Sequence, residues 1–572
     1  MNKTLYTELL LLCTCLCFTW SKVSGAPVDT SSITLLDAKA KQFAAMSLSD
    51  VGGTSEQIPI GISPERSWWN LVHYNIRLKP NYANKSISGS NELSFAALKD
   101  GIVMQIDLKA PMRISAVKWK GRPLAFERRG DAYLVSFPKL VKKGERRTIL
   151  LEFDGQPPVS LNAPFENGWI WAKDDRGRPW MSVACQGKGA SIWLPCKELL
   201  YDKPDRGIDF YLTVPDTLTA VAGGRLKERK DNKDGTATFH WRVSSPINNY
   251  NIIPYIGKYV SWEKPHYGLK GRLDCTYWVL DYNLSKGKQH LAQADTMLRT
   301  FEYWMGAYPF YGDGYKLVEA PMHGMEHQGA IAYGNGFQNG YRGKDLISGT
   351  GWGLKWDFIL VHESAHEWFG NSITSSSNGD TWLHEGFAKY LETLYTDKVF
   401  GTAAGNEYTL GTWKRIKNNL PVLGTSTQDR YYKGAALLHM VRQLTGNAIF
   451  RDWLHGLNEQ FAHRTITTAQ VLAYLNKLTK RNFSKMFEQY LKTVQVPELE
   501  YCFLEGKLYV RWNNCINNFD MPLNIAADGK NFNRVYPTTA WQPVKMIGVA
   551  AKNLTVDRNY YINTRELRSI NE

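Results

Sequence analysis

The segment HESAHEWFGN at residues 362–371 constrains the fold of this chain more than any other stretch. His362 and His366 are four residues apart, so on a helix they project from one face, one turn apart. Two imidazoles in that arrangement can bind one tetrahedral metal ion. Glu363 lies beside the first histidine and can reach a water that the metal activates, as a general base must. The pattern alone also fits a helix with incidental histidines, so the metal prediction needs a third ligand.

The segment TWLHEGFAKYLETLY supplies this third ligand as Glu385, with 18 residues between it and His366. Both segments have helical periodicity, and a helix–loop–helix hairpin of this length can return Glu385 beside the two histidines. Three protein ligands leave one position open for water, which is the catalytic rather than the structural arrangement of a metal site. His384 points elsewhere on the predicted helix, and we do not expect it to be a ligand.

The chain of 572 residues is too long for one core, and its pattern changes twice. Runs such as HYNIRLKP and RRTILLEFDG alternate apolar and polar residues, which is typical of antiparallel strands. The segment SKGKQHLAQADTMLRTFEYWMGAYPF instead has apolar residues three and four apart, which indicates a helix, with Ser285 as its candidate cap. We expect a multidomain α+β protein: an N-terminal all-β, sandwich-like domain at 66–266, a mostly helical domain at 267–495 and a small C-terminal β domain at 496–572.

The first 26 residues have the pattern of a signal peptide, with an apolar stretch over Leu9–Trp20 and small residues before Ala26. That stretch is short for a membrane span, and no later stretch approaches 18 uninterrupted apolar residues. We expect cleavage near Gly25/Ala26, a leader at 27–65, and an exported protein, periplasmic or secreted, with no stable membrane span in its mature form. Because charged residues interrupt the pattern, an uncleaved N-terminal anchor is the alternative.

Charge and cysteine content narrow the partners only modestly. The 69 Lys and Arg residues exceed the 54 Asp and Glu residues, giving a net charge of +15. These basic residues are scattered, so we expect a solvated basic surface and no nucleic-acid partner. Five cysteines follow the signal segment, and disulfides between Cys185 and Cys196 or between Cys502 and Cys515 are left open.

Further motifs give the chain a family resemblance over about 66–495. The HExxHxWxGN pattern is followed 18 residues later by a glutamate within WLxEGFAxYLE. PMHGMEHQGAIAYGN at 321–335 looks like a GxMEN element, YYKGAALL at 431–438 is similar to a YxKG element, and VACQGKGASIWLPC at 183–196 resembles a stretch that carries a substrate-site glutamine. In this order and spacing they resemble the gluzincin zinc aminopeptidases, the family of aminopeptidase N and leukotriene hydrolase. The resemblance implies a thermolysin-like fold for the helical domain.

The resemblance also implies a metal and a base. His362, His366 and Glu385 would hold Zn²⁺, one ion per chain, and Glu363 would deprotonate the water that zinc activates. Asp380 has two readings, as an orienting partner of a ligand histidine or, preferred here, as the N-cap of the helix that carries Glu385.

Three substrate contacts are implied in the same way. Glu326 would bind the free α-amine of the substrate by a charge-assisted hydrogen bond, which makes an exopeptidase because an internal peptide nitrogen has no positive charge. Tyr431 would donate to the oxyanion; Tyr432 is the alternative, although the spacing to the Lys-Gly pair favours Tyr431. Gln186 would position the first substrate residue, or it is a plain hydrogen-bonded core amide.

The GxMEN element departs from the family at both ends, where His323 and His327 stand. The glutamate is retained, so amine recognition by Glu326 is still implied, with Gly324, Met325 and His327 as its substrate-binding neighbours. The two histidines leave open the path of the loop and the shape of the pocket for the first residue. His327 either tunes pH dependence or substrate choice, or it only fills the space of the asparagine.

The sequence thus predicts a zinc-dependent aminopeptidase that acts on peptides with a free N-terminus. A thermolysin-like endopeptidase is disfavoured by Glu326, and a lipid-epoxide hydrolase lacks a dedicated acidic residue beyond the insufficient Asp429. An inactive peptide-binding scaffold would lack a ligand or the base, and neither is missing. The preferred first residue, the oligomeric state, the physiological substrate and the role of the last domain are not determined by the sequence.

Overall fold

A computed structural model describes residues 63–199, 202–526, 528–544 and 554–572. The predicted signal peptide at 1–26 and the leader up to residue 62 lie outside these described residues. Among the helices of the described ranges, none is both long enough and apolar enough to cross a membrane.

The first β region follows the predicted alternation, because every second side chain of a strand faces the core. In β1, for example, Tyr74, Ile76 and Leu78 are buried. The strands are β1 (Trp69–Asn81), β2 (Ser86–Ala97), β3 (Gly101–Asp107), β4 (Arg113–Trp119), β5 (Arg122–Pro123), β6 (Ala125–Arg129), β7 (Ala132–Val141), β8 (Arg146–Gly155), β9 (Gly168–Lys173), β10 (Pro179–Ala184), β11 (Ile208–Pro215), β12 (Thr219–Val221), β13 (Arg225–Asp231), β14 (Thr236–Val243) and β15 (Tyr255–Gly257). A one-turn helix, α1 (Pro64–Ser67), precedes them.

These strands form three sheets, ordered β13-β14-β11-β1-β2-β8-β4-β5, β12-β15-β10-β9 and β3-β7-β6. Neighbouring strands are antiparallel except β1 and β11, which run parallel. One apolar cluster fills this region and extends to Met322 and Met325 of the GxMEN-like segment. The packing of the first β region therefore positions that segment.

A five-stranded sheet follows, in the order β16-β19-β20-β22-β21. Its strands and two flanking ones are β16 (Tyr259–Glu263), β17 (His266–Gly268), β18 (Gly271–Leu273), β19 (Cys275–Leu280), β20 (Tyr315–Glu319), β21 (Gly324–Met325) and β22 (Ile331–Tyr333). The prediction of a mostly helical region did not include β20 to β22. They are short and buried, so they show neither strand alternation nor helical spacing.

The helices are α2 (Leu284–His290), α3 (Ala294–Met305), α4 (Phe358–Ala365), α5 (Trp382–Phe400), α6 (Thr402–Thr412), α7 (Asp429–Phe461), α8 (Thr468–Thr479) and α9 (Ser484–Lys492). Short 3-10 helices lie at Ala190–Ile192, Asn249–Asn251, Asp281–Asn283, Leu291–Gln293, Trp352–Lys355, Asn378–Asp380 and Trp413–Arg415. The short pair β23 (Thr374–Ser375) and β24 (Thr465–Ile466) connects the segment after α4 to the start of α8.

The helix ends correct two cap predictions. Ser285 lies inside the first turn of α2, whose N-cap residue Asn283 makes no side-chain cap bond. Asp380 is not the N-cap of α5 either: Thr381 takes that position, and Asp380 instead accepts a 2.6 Å hydrogen bond from Thr468 Oγ1 at the start of α8. By contrast, Asp357 caps α4 through the Leu360 amide at 3.0 Å.

The last region consists of β25 (Glu498–Leu504), β26 (Lys507–Asn513), β27 (Leu523–Ala526), β28 (Phe532–Val535), β29 (Gln542–Val544), β30 (Thr555–Val556) and β31 (Asn563–Glu566). They form sheets of order β29-β26-β25-β31 and β28-β27-β30. The mixed α+β class is therefore confirmed. Cys185, Cys196, Cys275, Cys502 and Cys515 are free thiols, so neither of the two disulfides left open by the sequence is formed.

Candidate active site

The three predicted metal ligands converge in a buried cluster formed by α4 and α5. His362, His366 and Glu385 have ligand atoms within 4.8 Å of one another, and all three residues are buried. Glu385 Oε2 lies 3.8 Å from His362 Nε2 and 3.5 Å from His366 Nε2. The helical spacing of the histidines and the return of the chain through α5 produce this arrangement, as the sequence predicted.

The cluster also fits a zinc ion. Glu385 Oε2 is buried and has no hydrogen-bond partner among the described residues, which is costly unless a cation compensates it. Bonds of about 2.0 Å to tetrahedral zinc place neighbouring donor atoms about 3.3 Å apart, close to the observed separations.

Both histidines are oriented by a hydrogen bond from the ring nitrogen that faces away from Glu385. His362 Nδ1 donates to Glu392 Oε1 at 2.7 Å, and His366 Nδ1 donates to the carbonyl of Phe369 at 3.0 Å. These bonds fix the tautomer in which each Nε2 keeps its lone pair for a metal. Glu392 itself accepts from Lys389 Nζ at 2.7 Å and from the Tyr408 hydroxyl at 2.5 Å, so this anion is held in place on several sides.

The sequence did not single out Glu392, which is 0% exposed. Its signal was nevertheless present: Glu392 follows Glu385 by seven residues on α5, two helical turns along the same face. Beside Lys389 it had the pattern of an ordinary solvated ion pair. In the structure, however, the side chains of Glu392 and Lys389 are both buried, and Glu392 accepts a hydrogen bond from His362.

Glu363 lies inside the same buried site. Burial raises the pKa of its carboxyl to about 7. The backbone of Gly324 passes close by: a Cβ added there would come within 3.0 Å of Glu363 Oε1 and 2.7 Å of Ile359 Cγ2. Gly324 is therefore needed for this close approach, and strand β21 places the GxMEN-like segment against α4, which carries His362 and ends at His366. Met325 is buried in the adjoining apolar cluster.

Glu326 and Gln186 come together although 140 residues separate them. Gln186 follows β10, and its side-chain amide donates to Glu326 Oε1. The hydroxyl of Tyr250 donates to the same oxygen at 3.4 Å, a contact that the sequence did not suggest. Burial raises the pKa of Glu326.

His327 is buried at 1% exposure and bonded to Tyr255. The Tyr255 hydroxyl donates to the carbonyl of Ala330 at 2.7 Å, so it accepts from His327 Nδ1 at 2.6 Å. Burial lowers the pKa of His327 to about 3, so this ring is neutral near neutral pH. Of the two roles left open for His327, tuning of the pH dependence near neutrality is therefore disfavoured.

His323, the other departure, lies among aromatic rings. Its ring centroid is 6.2 Å from that of Phe165 and 6.0 Å from that of Tyr341. Tyr341 contacts Phe358, which stacks on the ligand His362 at 5.2 Å. An aromatic wall thus extends from the first β region to the metal cluster.

Tyr431 and Tyr432 differ in their surroundings. The Tyr431 ring is partly exposed and lies 6.3 Å from the ring of His362. Arg430 Cζ is 5.3 Å from the centroid of the Tyr431 ring. Tyr432 is buried at 1% exposure, under Lys389 Nζ at 5.4 Å. Of these two tyrosines, Tyr431 is the one that is partly exposed near His362.

The remaining candidates have structural partners. His384 Nε2 accepts from the Ser375 amide at 2.7 Å, as expected for a histidine that is not a ligand. Asp380 bonds to Thr468 and does not orient a ligand histidine. Asp429 is 0% exposed and accepts from the amides of Lys417 and Asn418, so it is committed to holding that turn.

Comparisons with known proteins agree with this geometry. Residues 318–428 match the model described as the Peptidase family M1 domain. Leukotriene A-4 hydrolase of Xenopus laevis is 23% identical over 456 residues, covering 72% of this chain and 68% of the relative. Aminopeptidase B of Homo sapiens is 26% identical over 410 residues, covering 65% of this chain and 58% of the relative.

The fold is also found in solved structures. An M1 zinc metallopeptidase from Deinococcus radiodurans, bound to a Tyr-Ser-Ala substrate, superposes with a TM-score of 0.62 at 20% identity. The superposition covers 75% of this chain and 95% of the solved chain. At this identity the likeness shows the fold, which is that of the M1 zinc metallopeptidases. Together with the matched domain and the similar aminopeptidases, this fold confirms the resemblance stated from the motifs and supports a metallo-aminopeptidase.

Proposed function

We propose that this protein removes single N-terminal residues from peptides, with one zinc ion per chain held by His362, His366 and Glu385. The observation that carries the proposal is Glu385 Oε2, buried without a hydrogen-bond partner in the described part of the chain and facing two imidazole nitrogens at 3.5 and 3.8 Å. Zinc bound there would supply Lewis-acid polarisation of water and of the scissile carbonyl.

Glu363 is the proposed general base. Its carboxylate is buried beside the proposed metal ligands. Glu363 itself is not one of the three residues whose ligand atoms converge. It accepts the proton of the attacking water and returns it to the nitrogen of the departing peptide, so the peptide bond breaks without net proton loss.

Glu326 is the proposed anchor for the α-amine of the substrate. The Gln186 amide and the Tyr250 hydroxyl hold one of its oxygens. An ammonium group bound at the carboxylate makes a charge-assisted hydrogen bond that an acetylated amine cannot make. This contact selects substrates with a free N-terminus. The aromatic wall at His323 contributes the neighbouring surface for the first side chain.

Tyr431 is the proposed oxyanion donor. Its ring lies 6.3 Å from that of His362, and the residue is partly exposed on α7. A hydrogen bond from this group to the developing oxyanion would lower the barrier of the attack.

Replacement of the base without loss of the metal tests this assignment. Glu363→Gln keeps the volume of the side chain but cannot accept a proton from water. We expect hydrolysis of an aminoacyl chromogenic amide to fall by at least about 100-fold, with one zinc per chain retained by elemental analysis. If the variant keeps zinc and most of its activity, Glu363 is not the base; if it loses zinc, Glu363 belongs to the ligand set.

We also propose that the protein is exported, on the support of the N-terminal pattern at 1–26. N-terminal sequencing of the protein isolated from its native cells tests this directly. A mature protein that begins near residue 26 supports export with cleavage, and an intact first residue on membrane-bound protein supports an uncleaved anchor instead.

A further inference from the structure

The turn after the zinc-ligand helix contacts the amine-binding loop at two places. Asn371 Nδ2 donates to the carbonyl of Glu326 at 2.7 Å. Glu367 accepts from the amide of Gly329 at 3.0 and 3.2 Å through its two oxygens. The two side chains are also bonded to each other, Asn371 Nδ2 to Glu367 Oε1 at 2.9 Å. Both are 0% exposed.

The pair is itself held from outside. The Tyr308 hydroxyl donates to Glu367 Oε2 at 2.5 Å. Asn251, from the first β region, donates to Asn371 Oδ1 at 2.6 Å, and Lys203 Nζ donates to the carbonyl of Asn371 at 2.8 Å. Each polar atom of the pair therefore has a partner, which in a buried network fixes one geometry.

Glu367 and Asn371 are i and i+4, so they lie on one side of the chain that continues from His366. They bond to the first and last residues of the segment 326–329. The loop that carries the amine-binding carboxylate is thus bonded at both ends to the same turn that carries a metal ligand.

We propose that Glu367 and Asn371, here called the loop clamp, are positioning residues that fix the Glu326 carboxylate at a set distance from the metal cluster. With this distance fixed, an α-amine bound at Glu326 presents the first peptide bond, and no later one, to the reacting groups. The proposal rests on the assignment of the α-amine to Glu326. It adds that this recognition depends on two residues that touch neither substrate nor metal.

The expected effect of loosening the loop clamp follows from the geometry. Rates in enzyme sites depend steeply on the position of bound groups, and a misplacement of about 1 Å can cost about 100-fold. The loss should fall on substrates that use the amine site. A substrate whose amine is acetylated gains nothing from Glu326, so its slow hydrolysis should change much less.

The test measures kcat/KM for an aminoacyl chromogenic amide and for its N-acetylated twin, with zinc-loaded enzyme. Glu367→Ala and Asn371→Ala should each lower the ratio of the two values at least about tenfold, and Glu367→Gln should restore most of it because its amide oxygen still accepts from Gly329. Tyr308→Phe removes only the hydroxyl that supports Glu367 and should lower the ratio by about threefold.

Ser372→Ala is the matched control. Its hydroxyl lies in the same turn and accepts from the amide of His463 at 3.2 Å, so the variant perturbs the turn through a contact outside the segment 326–329. Its ratio should stay within about twofold of the original value. Zinc content and melting temperature are measured for every variant, and Tyr308→Phe, the smallest change, decides the question if an alanine variant fails to fold.

Two results would overturn the loop clamp. One is a ratio that does not change in the folded, zinc-loaded variants; the other is an equal loss on both substrates, which marks a purely structural role. Glu326→Gln separates this from the parent assignment. If Glu326→Gln leaves the ratio unchanged, the amine assignment itself fails, whereas a collapsed ratio in Glu326→Gln with an intact ratio in the clamp variants rejects only the clamp.

Discussion

His362 Nδ1 donates a 2.7 Å hydrogen bond to Glu392 Oε1, a carboxylate that is fully buried and also bonded to Lys389 and Tyr408. This bond holds the ring so that its other nitrogen faces Glu385. The proposed metal site thus includes an orienting anion, Glu392, that is not one of the proposed ligands.

We expect Glu392→Gln to weaken zinc binding by about 10- to 100-fold, because an amide orients the imidazole less strongly than a carboxylate and does not raise its basicity. Competition with a chromophoric chelator measures the dissociation constant. Glu407→Gln is the control, since that carboxylate is exposed on α6 and accepts from Trp352 Nε1. An unchanged zinc affinity in Glu392→Gln contradicts the orienting role.

The two adjacent tyrosines of α7 should respond very differently to loss of the hydroxyl. Tyr431→Phe should lower kcat by about 100- to 1000-fold, as removal of an oxyanion donor typically does, with zinc content unchanged. Tyr432→Phe should keep kcat within a few-fold, because Tyr432 is buried under Lys389. The reverse pattern in steady-state kinetics would assign the oxyanion to Tyr432.

Gly324→Ala should damage catalysis through packing. Its Cβ would come within 2.7 Å of Ile359 Cγ2 and 3.0 Å of Glu363 Oε1, and overpacking of this kind costs about 1–3 kcal/mol in the free energy of unfolding. We expect at least a tenfold loss of kcat/KM through displacement of β21 or of Glu363. Gly312→Ala is the control, since the nearest atom to a Cβ added there is Ser244 Oγ at 3.4 Å, an ordinary van der Waals contact. Full activity in a folded Gly324→Ala variant would show that the segment can shift freely.

The free energy of unfolding should depend on pH through Lys203. Burial lowers the pKa of this ammonium to about 7, against about 10.4 in the unfolded chain. Below pH 7 the group is charged in both states, so the full cost of burying the charge is present. Between pH 7 and about 10 the unfolded state binds more protons, so the free energy of unfolding rises with pH.

The contribution of Lys203 to this rise is on the order of 3–5 kcal/mol. Urea denaturation at several pH values, compared with Lys203→Met, isolates it, because the other titrating groups are common to both proteins. The free energy of unfolding of the original protein minus that of Lys203→Met should increase from pH 7 to pH 10. A constant difference across this range would show that the ammonium is solvated in the folded state.

The sequence predicted the convergence of His362, His366 and Glu385 because the signal for it is local. The spacing of His362 and His366 fixes one helix face, and Glu385 lies on the next strongly periodic segment. The order of the motifs then predicted that Gln186, Glu326 and Tyr431 belong to the same site. In the structure the side-chain amide of Gln186 is hydrogen-bonded to Glu326.

Other features depend on contacts between distant segments and could not be deduced from periodicity. The bonds of Glu367 and Asn371 to the segment 326–329 arise only when β21 is placed beside α4. The bonds of Tyr250 to Glu326 and of Tyr255 to His327 likewise require the packed first β region. Asp380 is a residue type that often caps helices, but its side chain instead accepts a hydrogen bond from Thr468, which is distant in the sequence.

The central claim, that Glu326 makes this metallopeptidase an aminopeptidase, is tested most directly by one pair of rates. The zinc-loaded protein is given an aminoacyl chromogenic amide and its N-acetylated twin, and kcat/KM is measured for both. We predict that the free-amine substrate is favoured by at least about 100-fold, consistent with loss of a charge-assisted hydrogen bond in a buried site. Equal values for the two substrates would contradict the claim.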